Sequence, residues 1–132
     1  MLNQERIIAF VPVTDIDRAM HFYADVLGLI VTDCSDDFCA LDAGGTCLRL
    51  TRVTDHPTML HTVVGWSVDN LDTTASELAH RGVGFHRYEG MNQNENGAWV
   101  SPGGDQVAWF SDPDGNTLSI TQFANAPVTS TV

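Results

Sequence analysis

The feature that most constrains the fold of this 132-residue chain is an internal repeat. The segment VTDID at 13–17 aligns with VDNLD at 68–72, an offset of 55 residues. In both copies a good helix-capping residue is followed by apolar residues at helical spacing. A unit of this size can scarcely bury a core of its own, so we expect the two halves to pack as one domain.

Each half is interpreted as a strand, a helix and three further strands, with one additional short strand predicted in the second half. The first strand, Ile7–Val13, is apolar on both faces, as expected of a buried strand. Gly28 and Gly82 are placed to end the two helices in a left-handed conformation. The other strands are predicted over residues 29–32, 38–42, 46–52, 63–68, 83–86, 98–101, 106–111 and 117–122.

The predicted fold class is therefore α+β. We expect a single domain over residues 1–132, with module one at about 5–55 and module two at about 60–123. Residues 125–132 are expected to form a loose C-terminal tail.

Composition excludes several classes of function. The net charge is −11, from 17 acidic and 6 basic residues, and every basic residue is arginine. Coulomb repulsion disfavours nucleic acid and anionic membranes as partners. Without lysine the chain can form neither a Schiff base nor a Walker-type phosphate loop. The apolar run Ile7–Val13 is too short to span a membrane, and three cysteines without a CxxC pair predict reduced thiols and a cytoplasmic location.

Five segments carry a resemblance to a known family. They are VTDIDRA at 13–19, FYADVLGL at 22–29, VDNLD at 68–72, RGV at 81–83 and WFSDPDGN at 109–116. Over about residues 6–123 the chain resembles the vicinal oxygen chelate superfamily, which includes glyoxalases, bleomycin-resistance proteins and extradiol dioxygenases. The resemblance implies two tandem βαβββ modules that form a curved mixed sheet around a cavity. It also implies a small-molecule ligand as partner, and a homodimer.

In the members of that superfamily that use a metal, four strands supply His, Gln or Glu ligands. The motifs place the four positions at Ile8, Arg49, Val63 and Ser119, and none of these is a usual ligand. Arginine is a permanent cation and repels a metal ion. His61 would become a ligand if the register moved by two residues, but it would stand alone. We therefore expect no metal and no cofactor.

Strand alternation predicts which side chains face the cavity. Arg49 gives the sharpest hypothesis, because a cation in a cavity needs a partner. That partner is either an anionic ligand group, such as a carboxylate, enolate or phenolate, or a carboxylate of the chain itself. Trp66 and Trp109 are expected in the core. The expected ligand-binding residues are Phe10, Arg49, Thr51, His61, Tyr88, Met91, Trp99, Ser119 and Thr121.

The polar loop 89–97 contains three Asn and two Gly residues and shows no periodicity. This composition predicts a loop that opens readily and could serve as a lid over the cavity.

Three functions remain open. The first is a metal-independent small-molecule-binding protein of the glyoxalase/bleomycin-resistance type, which sequesters or senses its ligand. The second is a metal-free lyase or isomerase that acts on a small oxygenated metabolite. In that enzyme Arg49 would hold an oxyanion and His61 would be the acid–base group, although a capped or partly exposed histidine at a strand end is the favoured interpretation of His61. The third is a metal-dependent lyase or dioxygenase with a displaced ligand set.

Overall fold

The computed structural model describes residues 1–125, so the predicted tail lies outside the described residues from 126 onward. A 3-10 turn (Leu2–Gln4) precedes the first strand. The elements that follow are β1 (Ile8–Val13), α1 (Ile16–Met20), a π-helical continuation of α1 (His21–Val26), β2 (Ile30–Cys34), β3 (Phe38–Ala43), β4 (Thr46–Arg52), β5 (Thr62–Ser67), α2 (Leu71–His80), β6 (Trp99–Val100), β7 (Gln106–Ser111) and β8 (Thr117–Gln122).

The strands form two four-stranded mixed sheets. The first sheet has the order β1-β4-β3-β2, and the second has the corresponding order β5-β8-β7-β6. In each sheet the first strand pairs in parallel with the last strand of its module, and the other neighbours pair antiparallel. The edge strands β1 and β5 approach each other. This architecture confirms the predicted α+β fold of two βαβββ modules.

One predicted strand is wrong. Residues 83–86 form only a single bridge, between Phe85 and Phe110. The Val83 amide donates a hydrogen bond to the Leu78 carbonyl at the end of α2. Strand β6 pairs with Gln106 and Val107, so it occupies the other part of the β7 edge that residues 83–86 face. The segment therefore has too little free edge to extend into a strand.

Both helices begin and end as their sequences predict. Asp15 caps α1 by accepting a hydrogen bond from the Arg18 amide, and Asn70 caps α2 by accepting one from the Thr73 amide. Gly28 and Gly82 follow the helices with φ of 82° and 95°, a backbone conformation that side chains with a Cβ rarely adopt. Among residues 1–125, no helix combines the length and the apolar character that crossing a membrane requires.

The core lies between the helices and one face of each sheet. Val11 and Val13 on β1 and Leu48 and Leu50 on β4 are all buried. These residues and the buried residues of module two belong to one hydrophobic cluster. The two modules therefore share their apolar burial, which is what their small size requires.

The turn between β7 and β8 joins the modules by hydrogen bonds. The buried Asp112 carboxylate accepts one from the Tyr23 hydroxyl at 2.7 Å. Asp114 accepts from the Thr14 amide and hydroxyl, at 3.0 and 2.6 Å, and forms a salt bridge with Arg18 at 3.1 Å. Burial and the adjacent Asp112 carboxylate raise the pKa of Tyr23, so its hydroxyl remains protonated and able to donate.

This junction can be tested with Tyr23→Phe, which removes the donating hydroxyl and keeps the ring. A hydrogen bond to a charged group contributes about 1.5–3 kcal/mol, so we expect the free energy of unfolding in urea to fall by that amount. Tyr88→Phe is the matched control, because Tyr88 is exposed; its loss should cost less than about 0.5 kcal/mol. Equal losses in the two variants would contradict the role given to Tyr23.

Candidate functional site

The predicted cavity face of the first sheet is open. Ile8 and Phe10 are 51% and 62% exposed, although Val11 and Val13 on the same strand are fully buried. Phe10 lies opposite Arg49 on the neighbouring strand β4. Paired residues of adjacent strands share a face, so the structure brings these two predicted ligand-binding residues together.

Arg49 is half-buried and stacks on an aromatic ring. Its guanidinium carbon lies 3.9 Å from the centroid of the Phe38 ring, which is a cation–π contact. Within residues 1–125 every arginine salt bridge and every arginine side-chain hydrogen bond belongs to another arginine, and the one remaining salt bridge joins His21 to Asp25. The hypothesis that a carboxylate of the chain neutralises Arg49 thus gains no support from the described part of the chain.

Thr51 adds a second unsatisfied group to the same face. It follows Arg49 by two residues and lies opposite Phe38 on β3. Its Oγ1 is buried and has no hydrogen-bond partner within residues 1–125. A buried hydroxyl without a partner carries a desolvation cost that a polar ligand atom would relieve.

A cleft of about 680 Å³ lies further along β1 and β4, toward Ile8 and Cys47. It is lined by the cross-strand row of Ile8, Cys47 and Asp42 and by the segment 4–7. Cys47 precedes Arg49 by two residues on β4, so the lining of the cleft shares the face of Arg49. The volume is typical of a site for a small organic molecule.

The second sheet presents an aromatic and hydroxyl-bearing face. Trp109 lies opposite Ser119, Val107 lies opposite Thr121, and Trp99 pairs with Val107. The two indole ring centroids are 6.3 Å apart. Predicted ligand-binding residues Trp99, Ser119 and Thr121 therefore share one face of this sheet.

The prediction that Trp109 belongs to the core is wrong. Its neighbours Ala108 and Phe110 are buried in the core, whereas Trp109 is half-buried on the other face and contacts Tyr88 and Trp99. The alternation along β7 was the signal that could have located it. Trp66, by contrast, packs against the core as expected.

Ser119 lies close to the backbone of β5. A Cβ at Gly65 would be only 2.5 Å from the Ser119 Oγ, so glycine is the residue that leaves room for this hydroxyl. Ser119 is itself buried.

His86, which the sequence marks only as a weaker candidate bordering the loop 89–97, is the polar centre of the aromatic face. Its Nε2 lies 2.8 Å from the Ser111 Oγ, and its Nδ1 lies 3.0 Å from the Tyr88 hydroxyl. The Tyr88 ring packs edge-on against Trp109 at 5.6 Å. Met91, half-buried, donates its backbone N–H to the Tyr88 carbonyl. The predicted residue Tyr88 thus lies beside an imidazole bonded to two hydroxyl groups, and Met91 is bonded to Tyr88 through its backbone.

His61 lies where its interpretation as an exposed histidine at a strand end expected it. It is exposed and lies just before β5, and a bulge between Thr62 and Val64 interrupts the expected alternation. Thr62 lies opposite Thr117, so Thr62 stands on the face that had been assigned to His61 and Val63. A bulge adds one residue to a strand, so every side chain beyond the bulge moves to the opposite face of the sheet. The sequence pattern does not indicate this bulge.

The loop 89–97 is anchored more firmly than its composition predicts. The Gln93 side chain accepts from the Tyr88 amide at 2.7 Å and donates to the carbonyls of His86 and Gly97, each at 2.8 Å. Asn94 accepts from the amides of residues 96 and 98. The polar side chains that suggested mobility are instead the partners of the loop backbone, as Asn often is in turns.

The two sheets hold separate groups of candidate residues. No hydrogen bond, salt bridge or aromatic contact described for residues 1–125 connects the Arg49 group with the His86 group. The two modules that carry these groups are joined by the turn between β7 and β8, and strand β1 approaches strand β5.

Comparison with known proteins finds a family model that matches residues 6–120. Its description is Glyoxalase/Bleomycin resistance protein/Dioxygenase superfamily. Comparison with curated proteins finds no significant match.

Solved structures of low sequence identity share the fold. A glyoxalase/bleomycin resistance protein/dioxygenase from Alicyclobacillus acidocaldarius is 20% identical, with 92% of this chain and 93% of that chain covered and a TM-score of 0.71. A lactoylglutathione lyase from Agrobacterium tumefaciens is 15% identical, with 90% and 93% covered and a TM-score of 0.69. A glyoxalase family protein from Enterococcus faecalis is 17% identical, with 92% and 100% covered and a TM-score of 0.71.

The anchoring of the loop can be tested with Gln93→Ala, which removes three hydrogen bonds. We expect amide exchange over residues 86–98, measured by mass spectrometry, to accelerate by at least about tenfold, because each bond contributes about 1 kcal/mol. Asn92→Ala is the control, since this exposed neighbour makes no described side-chain bond, and its exchange should match the wild type. Fast exchange already in the wild-type loop would show that the anchors do not hold in solution.

Proposed function

The chain belongs to the glyoxalase/bleomycin resistance protein/dioxygenase superfamily, and we propose that it is a metal-independent protein that sequesters or senses a small organic molecule with an anionic group. The observation that carries this proposal is Arg49, a half-buried cation with no carboxylate partner in residues 1–125. We infer further that the protein is a cytoplasmic homodimer. Its net charge of −11 supports the expectation that it does not bind nucleic acid.

The physical argument starts from the cost of desolvating a charge. A guanidinium partly removed from water is stabilised by the Phe38 ring, but a cation–π contact at such a site supplies only about 1–2 kcal/mol. A ligand carboxylate, enolate or phenolate would add a charge-assisted hydrogen bond. The exposed Phe10 ring would cover the apolar part of the ligand, and Thr51 Oγ1 would gain a polar partner.

The net negative charge of the protein further restricts the chemical class of the ligand. A net charge of −11 attracts cations, as in bleomycin-sequestering relatives, while Arg49 disfavours a purely cationic ligand. A ligand that carries a cationic group as well as one anionic group held at Arg49 satisfies both constraints.

A catalytic metal does not fit the donor set. Ile8 and Val63 offer no donor atom, Arg49 is a permanent cation, and the Ser119 hydroxyl is a weak ligand. Within residues 1–125 no group of three His, Cys, Asp or Glu side chains is close enough together to hold an ion. The described residues therefore contain no displaced ligand set of the kind that a metal-dependent lyase or dioxygenase would need.

The proposal is tested with small aromatic and aliphatic carboxylates, each compared with its neutral amide, in titrations followed by proton–nitrogen NMR correlation spectra. We expect the carboxylates to shift resonances around Arg49 and the amides not to. Arg49→Leu should weaken carboxylate binding by about 2–5 kcal/mol, the range for removing one side of a buried charged pair. Added chelator should leave the affinity unchanged.

Arg52→Leu is the matched control. It is on the same strand as Arg49 but is already paired with Asp37 at 2.9 Å, so its loss should not change carboxylate affinity. The melting temperature of Arg49→Leu should change little, because the charge and its desolvation cost leave together. A large drop in stability with unchanged affinity would instead indicate a structural ion pair.

A second candidate function is favoured by the geometry of His86. A neutral imidazole can accept a proton from the Ser111 hydroxyl at Nε2 while Nδ1–H donates to the Tyr88 hydroxyl. A histidine oriented by one hydroxyl and bonded to another is the arrangement expected of an acid–base group. In a metal-free lyase or isomerase, His86 would fill the role that the sequence analysis gave to His61, which has no described side-chain partner in residues 1–125.

This alternative predicts turnover that depends on His86. In deuterated water, small hydroxy- and oxo-carboxylates should exchange the hydrogen next to the carboxylate or carbonyl, measured by proton NMR. His86→Gln should slow that exchange by about 100-fold or more, and His61→Gln should not. If the wild type exchanges no faster than His86→Gln with any of these compounds, the protein binds them without acid–base catalysis.

A further inference from the structure

Two of the three cysteines face each other across a hairpin. Cys34 on β2 is the direct cross-strand partner of Cys39 on β3. The Ser35 amide donates a hydrogen bond to the Phe38 carbonyl at 2.8 Å. Residues 35 and 38 are therefore a hydrogen-bonded pair of the antiparallel β2–β3 ladder. Antiparallel ladders alternate, so the next pair, Cys34 and Cys39, is a non-hydrogen-bonded pair with Cα atoms about 4.5 Å apart. This separation lies within the range that a disulfide spans.

The two thiols differ in exposure. Cys34 is exposed, while Cys39 is fully buried in the core cluster, and both are free thiols. Burial, and then the hydrogen bond with the Cys34 thiol, raise the pKa of Cys39 to about 12. An oxidant in solution therefore reaches Cys34 first, and Cys39 is positioned to react with whatever forms there.

We propose that Cys34 and Cys39 form a reversible intrachain disulfide when the protein meets a peroxide, which makes the β2–β3 hairpin an oxidation site. The Cys34 sulfur attacks one peroxide oxygen, the O–O bond breaks, and Cys34 becomes a sulfenic acid as water leaves. The Cys39 sulfur then attacks the Cys34 sulfur and displaces hydroxide, which takes the Cys39 proton and leaves as a second water. Two thiols are oxidised to one disulfide, and one peroxide is reduced to two waters.

Cys47 gives the experiment an internal reference. It lies on β4 and lines the large cleft on the opposite face of the sheet from Cys39. Alternation thus separates it from the Cys34–Cys39 pair, and it should remain a thiol throughout.

The test treats dilute, fully reduced protein with hydrogen peroxide, then blocks remaining thiols with a maleimide in denaturant and measures intact and peptide masses. We expect the wild type to lose two hydrogens, to bind one maleimide at Cys47, and to give a peptide cross-linked between residues 34 and 39. Cys47→Ser should form the same cross-link and bind no maleimide. A thiol reductant should restore all three maleimide sites.

Two variants separate the order of the steps. Cys34→Ser should slow oxidation of Cys39 by more than about tenfold, because the remaining thiol is buried and protonated. Cys39→Ala should hold Cys34 as a sulfenic acid that a dimedone-type probe captures. Oxidation of wild-type Cys34 to a sulfinic acid with Cys39 still blocked by maleimide would overturn the proposal. So would a disulfide that involves Cys47 or a second chain.

Discussion

The buried carboxylate of Asp112 is the group on which the joining of the two modules depends. A carboxylate removed from water is costly unless donors surround it, and Asp112 accepts from the Tyr23 hydroxyl, the Asn116 side chain and the backbone amides of residues 114 and 116. The Tyr23 donor belongs to the helical segment of module one. Asp112 is therefore fully satisfied only when module one packs against the β7–β8 turn, and Asp114 adds further bonds across the same junction.

That packing decides where the functional face lies. The helices and the turn cover the apolar face of each sheet, so the polar and aromatic residues of the strands remain on the opposite face. On the first sheet Arg49 has Phe10 on one side and Ala40 on the other, and neither can neutralise it. A chain with 17 acidic residues has thus left this cation without a carboxylate among residues 1–125, which is the physical basis for an anionic ligand.

The fold was largely predictable, and the site only in part. Capping residues, glycines after helices and period-two alternation act over a few residues, so the starts of the two helices and the faces of β1 and β4 were predicted correctly. The bulge in β5 and the aromatic environment of Trp109 depend on which strands become neighbours. The opening of the Asn-rich loop stays a prediction, because its side chains can bond either water or backbone, and composition does not distinguish the two.

The sequence by itself determined the repeat, the two helices, and Arg49 on the face opposite Leu48 and Leu50. These follow from local backbone preferences and from side-chain chemistry, which do not require knowledge of distant contacts. Only the tertiary structure decided that the β7–β8 turn bonds the first module, that His86 meets Ser111, and that Cys34 faces Cys39. Each of these depends on the register and packing of separate segments, because hydrogen bonds and thiol chemistry act only over a few ångströms.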